Sequence, residues 1–276
     1  MILENEINSA KTVLEEADAL LITAGAGIGV DSGLPDFRGN TGFWKAYPPI
    51  EKLGISFVEM ANPYWFEKDP RLAWAFYGHR LNLYRQTEPH DGFQHLLQYA
   101  QSLPAHYFIF TSNVDGQFQK AGFNEDSICE CHGSIHHMQC TSPCSDTIWE
   151  STNLTLEVDE DLFKAKGDLP LCPKCSSLAR PNILMFGDWN WVSRRTSTQE
   201  QNLNSWLTTI LTQGKKLVII EIGAGTAVAT VRMASENIAR DKDAVLIRIN
   251  PRDAWVPEGH FSIPLPAREG TIRLLG

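Results

Sequence analysis

The sequence predicts an α/β protein: a Rossmann-like parallel sheet with helices on both faces, joined to a smaller domain built from two insertions. Three observations lead to this prediction. Short apolar runs alternate with helical patterns, a glycine-rich turn follows the first run, and a cysteine-containing segment interrupts the alternation. The chain has 276 residues, of which 43% are hydrophobic, so it can bury a sizeable core.

The predicted elements follow one another in a regular order. Apolar residues recur at helical spacing across residues 4–18 and predict a helix that leads into the first strand, Ala19–Thr23. Residues 43–105 are mainly helical in pattern, with prolines between the segments. We predict later strands at Tyr107–Thr111, Asn182–Phe186, Leu217–Ile222 and Ala244–Ile249, and later helices near residues 199–213 and 228–239.

This order predicts one unit with two parts. The Rossmann-like part consists of residues 1–42, 106–133 and 181–276. The smaller part consists of a helical insertion, residues 43–105, and a less apolar insertion, residues 134–180, which holds four spaced cysteines.

Composition argues against several classes of protein. The net charge is −9 and no basic stripe is present, which argues against a nucleic-acid binder and suits a cationic partner such as a lysine-rich peptide. The N-terminal segment lacks a basic start and an apolar stretch, so we expect no signal peptide. No run of about 18 apolar residues occurs, so we expect no membrane span. Six cysteines without a secretion signal favour a metal site or reduced thiols in a cytoplasmic protein.

The turn after the first strand has features of a phosphate-binding loop. Its glycines let the backbone approach a ligand closely and can direct amide N–H groups at a phosphate. The next polar residues can offer a carboxylate, a ring and a guanidinium group to a dinucleotide. Val30 replaces the last glycine of G-x-G-x-x-G, so a tight turn without a nucleotide is the alternative. The candidate residues are Gly25, Ala26, Gly27, Asp36, Phe37 and Arg38.

A second polar strand end follows Tyr107–Thr111 and carries Ser112, Asn113 and Asp115. Because ligands of parallel sheets bind at the carboxyl ends of strands, these side chains are well placed to hold a ribose or a carboxamide. The alternative is an Asx-rich turn that caps the helix that follows.

Both stretches resemble motifs of the sirtuins, the NAD-dependent protein lysine deacylases. The run GAGIGVDSGLPDFRG is similar to the family's GAGxSxxSGIPDFRG, with Gly29 in place of the usual serine. The run TSNVDGQFQKAG is similar to TQNIDxLHxxAG, with Ser112 in place of glutamine. The resemblance covers residues 20–272 with five motif blocks in the family order, so the chain is identified as a bacterial-type member.

The resemblance implies roles for three polar residues. Asn113 contacts the reacting ribose, Asp115 holds the nicotinamide carboxamide, and His132, in an H-G pair, is the active-site base. His136 and His137 lie close by, but of these only His132 precedes a glycine. In the implied reaction the acyl-lysine oxygen attacks the nicotinamide ribose, nicotinamide leaves, and the base deprotonates a ribose hydroxyl.

Four cysteines form two close pairs, Cys140 with Cys144 and Cys172 with Cys175. Four thiolates at this spacing are typical of a structural, tetrahedral zinc site with no open position for catalysis. Four unrelated cysteines, or a set that includes a nearby histidine, are the alternatives. We expect one zinc ion that holds the smaller part together, and we expect Cys129 and Cys131 to be buried thiols.

Further motif blocks concern the acyl group and the peptide. Tyr77 and Arg80 share a helix face, and an arginine there can grip a carboxylate. Sirtuins that remove succinyl or malonyl groups carry such a Tyr-x-x-Arg pair, which implies an acidic acyl group here. A solvated arginine beside a core tyrosine is the alternative. The run RPNILMFGD resembles RPxVVxFGE, which implies that Phe186 and Gly187 line the peptide groove.

The last blocks concern the adenosine side of NAD. Gly223, Ala224 and Gly225 stand where the family has Gly-Thr-Ser. Asn250 stands at the family's Ile-Asn, whose asparagine contacts the adenine ribose. Gly270 then stands near the adenine pocket.

Together, these motifs predict an NAD-dependent protein lysine deacylase, a deacetylase and desuccinylase or demalonylase that releases nicotinamide and O-acyl-ADP-ribose. Its expected partners are NAD, one structural zinc ion and acylated lysine side chains of proteins, with no nucleic acid and no membrane. Two alternatives stay open: an ADP-ribosyltransferase or NAD hydrolase that uses the same pocket, and a non-catalytic sensor of NAD or ADP-ribose. The substitutions at Gly29, Ser112, Ala224 and Gly225 keep the first alternative open.

Overall fold

The computed structural model describes residues 2–35 and 39–276. Its α-helices are α1 Ile2–Glu15, α2 Gly39–Ala46, α3 Pro48–Lys52, α4 Phe57–Met60, α5 Tyr64–Lys68, α6 Pro70–Gln86, α7 Gly92–Ser102, α8 Gln117–Lys120, α9 Arg194–Thr212, α10 Thr230–Asp241 and α11 Ala267–Leu275. Its strands are β1 Ala19–Ala24, β2 Tyr107–Thr111, β3 Ile128–Glu130, β4 Gly133–Cys140, β5 Trp149–Glu150, β6 Val158–Asp159, β7 Lys164–Ala165, β8 Ala179–Ile183, β9 Leu217–Ile222, β10 Val245–Ile249 and β11 Phe261–Ile263. Ala26–Ser32 and Glu125–Ser127 are 3-10 helices. Across the described ranges, no helix combines the length and the apolar character that crossing a bilayer requires.

A six-stranded parallel sheet forms the central layer, in the order β11-β10-β9-β1-β2-β3. Side chains of β1 alternate between its faces: Leu20 and Ile22 pack with residues of α1, α7 and α11, whereas Leu21 packs with residues of α9 and α10. Because helices cover both faces, the strands read as continuous apolar runs. The predicted Rossmann-like sheet with helices on both faces is confirmed.

The strand predictions are right within the parallel sheet and wrong at one segment. The predicted strands Tyr107–Thr111 and Leu217–Ile222 have the same bounds in the structure. The predicted strand Asn182–Phe186 is instead β8, Ala179–Ile183, and it pairs antiparallel with β4 in a separate sheet with β5.

A buried ion pair explains why the strand ends early. The guanidinium group of Arg180 contacts the carboxylate of Asp188, and both side chains are almost completely buried. The same carboxylate accepts the amide of Met185 at 3.3 Å. Residues 184–188 therefore bend back toward Arg180 instead of continuing β8, and an apolar pattern does not reveal this bend.

A second core lies between helices α2–α6 and strands β4 and β8, separate from the two clusters that flank the parallel sheet. Trp74 is among its largest buried side chains, and its ring N–H donates to the Ala179 carbonyl at 3.1 Å. The bond ties α6 to β8. The division into residues 1–42, 106–133 and 181–276 against residues 43–105 and 134–180 stays a prediction.

A buried ion cluster joins the two strands that end at Gly223 and Asn250. Arg248 of β10 lies opposite Glu221 of β9, and its guanidinium nitrogens contact that carboxylate at 2.5 and 3.0 Å. Glu236 of α10 accepts a third bond at 2.7 Å. Because Arg248 and Glu221 are fully buried, the pair fixes the register of these strands beneath the site.

Candidate functional site

The carboxyl ends of β1 and β2 meet through predicted site residues. Asn113 is buried, and its Nδ2 donates to the Gly25 carbonyl at 3.1 Å. Its amide donates to the Thr111 hydroxyl at 3.0 Å, and that hydroxyl donates to the Ala24 carbonyl at 2.9 Å. The Ser112 amide also donates to Ala24, at 3.2 Å. The structure therefore brings Ser112 and Asn113 beside the first glycine turn.

The two glycine-rich turns pack directly against each other. The amides of Gly25 and Gly27 donate to the carbonyls of Ile222 and Gly223, both at 3.0 Å. A Cβ on Gly27 would lie 2.7 Å from the Gly223 Cα, and one on Gly25 would lie 2.8 Å from the Ala224 Cα. Glycine is needed here because the two backbones touch. Both amides bond protein carbonyls in this structure, and the assignment of this turn to the cofactor stays a prediction.

A small cleft of about 50 Å³ opens beside these turns, at the carboxyl ends of β1, β9 and β10. Gly27 and Asp31 form one wall, and Gly223 and Arg252 lie in its lining. In open parallel sheets, this edge is where ligands bind.

Asn250 fixes the loops around this cleft. It is fully buried, and its Nδ2 donates to the Ala224 carbonyl at 2.9 Å. Its Oδ1 accepts the amides of Arg252 and Asp253 at 3.1 and 3.0 Å. The side chain therefore joins the ends of β9 and β10, while Gly225 is half-buried in the same turn as Ala224.

His132 lies between β3 and β4 and is half-buried. Its carbonyl accepts the Leu184 amide at 2.9 Å. Burial lowers the pKa of the imidazole, and the nearby Ser112 backbone offsets only part of that effect. A Cβ on Gly133 would lie 2.1 Å from the Asn182 carbonyl oxygen, which explains the glycine after this histidine. A neutral imidazole can act as a general base.

Asp115 is buried and contacts His136 of β4. One carboxylate oxygen accepts the Gln117 amide at 3.0 Å, and its backbone carbonyl bonds the His136 Nε2 at 2.9 Å. Burial, with a smaller effect from the Glu130 carboxylate, raises the pKa of Asp115 to about 6. The carboxyl group therefore changes its charge near neutral pH, and it can donate or accept a hydrogen bond.

Tyr77 and Arg80 are both buried on α6, with the guanidinium carbon 6.0 Å from the centre of the Tyr77 ring. Arg80 also donates to the Tyr84 hydroxyl at 2.8 and 3.0 Å and lies over the Phe76 ring at 5.2 Å. Such a shell combines cation–π contacts with a charge-assisted hydrogen bond. The predicted pair thus lies side by side. Sequence analysis missed Tyr84, although its i, i+4 spacing from Arg80 indicates it.

Phe186 and Gly187 lie on the segment after β8. The Phe186 amide donates to the Ala61 carbonyl at 2.9 Å, and its ring meets Phe57 edge-on at 6.0 Å. Gly187 has a φ of +68°, which glycine adopts without strain. Trp189 follows on the same segment, and its side chain is 97% exposed to solvent.

The four predicted metal ligands converge. Their Sγ atoms all lie within 4.8 Å of one another, with Cys140–Cys175 at 3.6 Å and Cys144–Cys172 at 3.7 Å. Four sulfur atoms each about 2.3 Å from one zinc ion lie about 3.8 Å apart in a tetrahedron, so the cluster fits a structural zinc ion.

The remaining cysteines lie outside this cluster. Cys129 and Cys131 are buried, and burial raises the pKa of both thiols, as in unreactive core cysteines. His136, an alternative metal ligand, bonds the Asp115 carbonyl instead.

Part of the first motif lies outside the described residues, namely Asp36, Phe37 and Arg38. At Gly29 a Cβ would lie 3.1 Å from the Leu34 Cδ1. Leu34 therefore occupies space that the family's usual serine would need. Gly270 packs on Ile249, since a Cβ there would lie 2.4 Å from its Cγ2.

Sequence analysis also missed a polar layer behind the site. Glu130 and Arg195 form an ion pair at 2.6 Å with the carboxylate almost fully buried. Thr111 accepts the Asn113 amide, and His136 bonds the Asp115 carbonyl, so both support site residues. Thr111 is the first residue of the TSNVD run and His136 was weighed against His132, whereas the Glu130–Arg195 pair had no sequence signal.

Comparison with known proteins assigns a family. A family model described as the Sir2 family matches residues 25–215. An NAD-dependent protein deacylase from Thermococcus sibiricus is 33% identical over 184 residues, 66% of this chain and 65% of that protein. One from Pyrococcus furiosus is 27% identical over 244 residues, 88% of this chain and 86% of that protein. The match therefore spans slightly under two thirds of the first relative.

Solved structures agree with this assignment. A Sir2 homologue in complex with NAD has a TM-score of 0.67 at 26% identity, over 97% of this chain and 91% of that one. A Sir2 protein bound to an acetylated peptide has a TM-score of 0.68 at 20% identity, which shows a common fold only. The matched family region includes the first glycine turn, His132 and the four cysteines. The chain therefore belongs to the Sir2 family.

Proposed function

We propose that this chain is an NAD-dependent protein lysine deacylase. A set of hydrogen bonds carries the proposal: Asn113 to Gly25, the Cys131 amide to the Thr111 carbonyl, and the Leu184 amide to the His132 carbonyl. These bonds link the first glycine turn, the second strand end, the candidate base and the segment after β8. The relatives from Thermococcus sibiricus and Pyrococcus furiosus are named as such deacylases, which agrees with the proposal.

We assign NAD to the carboxyl edge of the parallel sheet. The cleft beside the two glycine turns supports this assignment, because it opens at the carboxyl ends of three parallel strands. The adenosine side lies toward Gly223, Ala224, Gly225 and Asn250, and the nicotinamide side toward Ser112, Asn113 and Asp115. Because the neighbouring glycine amides are already bonded, the exposed Ala26 is assigned to the phosphates. Asp36, Phe37 and Arg38 are assigned to the bound dinucleotide, as the resemblance implies.

When bound, NAD would supply the ribose carbon to which the acyl oxygen bonds while the bond to nicotinamide breaks. Asn113 orients the ribose, and Asp115 binds the carboxamide. His132 would accept a proton from a ribose hydroxyl, because burial lowers the pKa of its imidazole and favours the neutral form that a base requires. The deprotonated hydroxyl would then attack the acyl carbon, the bond to the lysine nitrogen would break, and one water molecule would be consumed as O-acyl-ADP-ribose and free lysine form.

The acyl pocket is assigned to α6. Arg80 receives a carboxylate-bearing acyl group such as succinyl, with Tyr77 beside it, because a guanidinium group suits a carboxylate in geometry and charge. Phe186 and Gly187 line the peptide groove, and one zinc ion on the four cysteines holds the insertion of residues 134–180 together.

One assay tests the proposal. The zinc-loaded protein is incubated with NAD, with and without acetyl-lysine and succinyl-lysine peptides, and released nicotinamide is measured. Release only with an acylated peptide supports deacylation. Release without peptide favours an ADP-ribosyltransferase or NAD hydrolase, and no release under any condition contradicts an enzyme and favours a sensor.

A further inference from the structure

We propose that His90 is a positioning residue for the cofactor-binding turn, and that NAD binding weakens when its imidazole is protonated. The proposal rests on the proposed function, which it deepens by naming a residue that controls the geometry of the NAD site. His90 lies just before α7 and is buried. It belongs to none of the motifs in the sequence.

His90 bonds two points of the 3-10 helix Ala26–Ser32. Its Nε2 hydrogen-bonds the Ile28 carbonyl at 3.0 Å, in the first turn of this helix. Its backbone amide donates to the Ser32 hydroxyl at 3.0 Å, at the last residue. One residue therefore fixes the element that carries Gly27 and forms a wall of the cleft.

A third bond sets the protonation state of the ring. The Gly92 amide donates to the His90 Nδ1 at 3.1 Å, so Nδ1 carries no proton and Nε2 carries the one that reaches Ile28. The ring also packs closely on α7, since a Cβ on Gly92 would lie 2.7 Å from its Cε1. A proton on Nδ1 would set two N–H groups against each other. The neutral ring satisfies both partners, and the cation satisfies only one.

Three charged groups face this imidazole, one from each surrounding segment. Asp31 belongs to the 3-10 helix, Asp91 precedes α7, and Arg268 belongs to α11. Asp91 accepts two bonds from the Arg268 guanidinium, both at 2.7 Å, and Asp31 accepts the Arg268 amide at 2.8 Å. Both carboxylates are thus bonded to Arg268. Burial outweighs their effect and lowers the pKa of His90.

The lowered pKa of His90 determines how stability and NAD binding change with pH. A histidine in the unfolded chain has a pKa of about 6.5, so stability from the neutral ring is complete above that value and falls as the pH drops toward the lower folded pKa. Below the folded pKa, the ring loses the Gly92 bond and the 3-10 helix loses its fixed position. The dissociation constant for NAD should then rise about tenfold per pH unit, because only the neutral fraction is competent to bind.

Calorimetric titration of NAD into the zinc-loaded full chain tests this, in a pH series from about pH 8 down to the lowest pH at which each protein stays folded, because the folded pKa of His90 lies below that of a free histidine. The variant His90→Gln keeps an uncharged donor for Ile28, and His260→Gln is the matched control. His260 lies in the loop before β11, and its Nδ1 accepts the Leu246 amide at 3.2 Å. Burial lowers the pKa of His260 as well.

The NAD affinity of wild type and of His260→Gln should fall in parallel as the pH drops. The affinity of His90→Gln should fall less steeply, and the pH dependence that Asp115 contributes should remain in all three proteins. Equal pH dependence in all three proteins overturns the role of His90. Absence of NAD binding by wild type at the highest pH of the series overturns the proposed function instead.

A measurement on the wild type tests the proposal without a variant, so that misfolding of His90→Gln does not affect the result. The His90 imidazole is titrated by NMR with and without NAD. If NAD requires the neutral ring, linkage demands that NAD lower the titration midpoint. A midpoint that NAD leaves unchanged overturns the proposal.

Discussion

The four-cysteine cluster differs from the carboxyl edge of the parallel sheet, where the two glycine turns meet, in how its residues are brought together. The cluster takes its donors from two short segments, residues 140–144 and 172–175, and each sulfur faces the other three. The edge takes its residues from segments far apart in the chain, and several of them bond one another, as Asn113 bonds Gly25 and Asn250 bonds Ala224. The cluster therefore joins two local segments, whereas the edge depends on bonds between distant parts of the chain.

Removing one ligand from the cluster should have the largest effect. We expect Cys172→Ser to lose zinc, to melt at a much lower temperature and to lose deacylation, because metal binding contributes about 10–16 kcal/mol in small zinc domains. Bound zinc and the melting temperature are measured together. The control Cys129→Ser changes a buried cysteine outside the cluster and should keep its zinc. One zinc per chain in Cys172→Ser would refute the ligand assignment.

Removing the base should affect chemistry rather than binding. His132→Ala should lower the deacylation rate by about 10²–10⁴-fold, the usual contribution of a general base, with little change in NAD affinity. Single-turnover rates and NAD calorimetry separate the two effects. His95→Ala on α7 serves as the control and should behave as wild type. A normal deacylation rate in His132→Ala would sink the assignment.

The acyl pocket should show a smaller, selective effect. Arg80→Met should reduce kcat/KM for a succinyl-lysine peptide by about ten- to a hundredfold, since a hydrogen bond to a charged group contributes about 1.5–3 kcal/mol. Acetyl-lysine should be affected much less. Tyr84→Phe removes the hydroxyl that Arg80 bonds and should shift the ratio in the same direction by less. Equal losses with both peptides would argue against this pocket.

The smallest change concerns the ribose side. Ser112→Gln introduces the family's usual residue and should raise kcat/KM for NAD by about two- to tenfold, the contribution of one added neutral hydrogen bond. Ser112→Ala should give no gain. If Ser112→Gln lowered kcat/KM, the glutamine would not fit beside Asn113, and the two motifs would differ in shape at this position.

Much of the fold follows from the sequence because β1, β2 and β9 are long apolar runs between helices. The strands β3 and β11 span only three residues each, which is too short for a periodic signal. The end of β8 depends on Arg180 reaching Asp188, a contact between side chains that no local pattern encodes.

Some residues of the site can also be predicted from local sequence, and others cannot. Spacing alone predicted the cysteine cluster, since its ligands come in close pairs. Recognising His132 needed the resemblance, because eight histidines compete and only the family order singles one out. The direction of the Gly25 and Gly27 amides depends on β9, more than 190 positions later in the chain, and was therefore beyond any local reading.

Because the backbones of the two glycine turns are in contact, a change in the shape of one turn also displaces the other. A methyl group on Gly223 would lie 2.3 Å from the Ile28 amide nitrogen, and one on Gly27 would press on Gly223 in return. Neither turn can therefore be reshaped alone: a change that suits one half of a dinucleotide displaces the backbone that receives the other half. Altered nucleotide preference in this chain would have to arise through paired substitutions across the two turns.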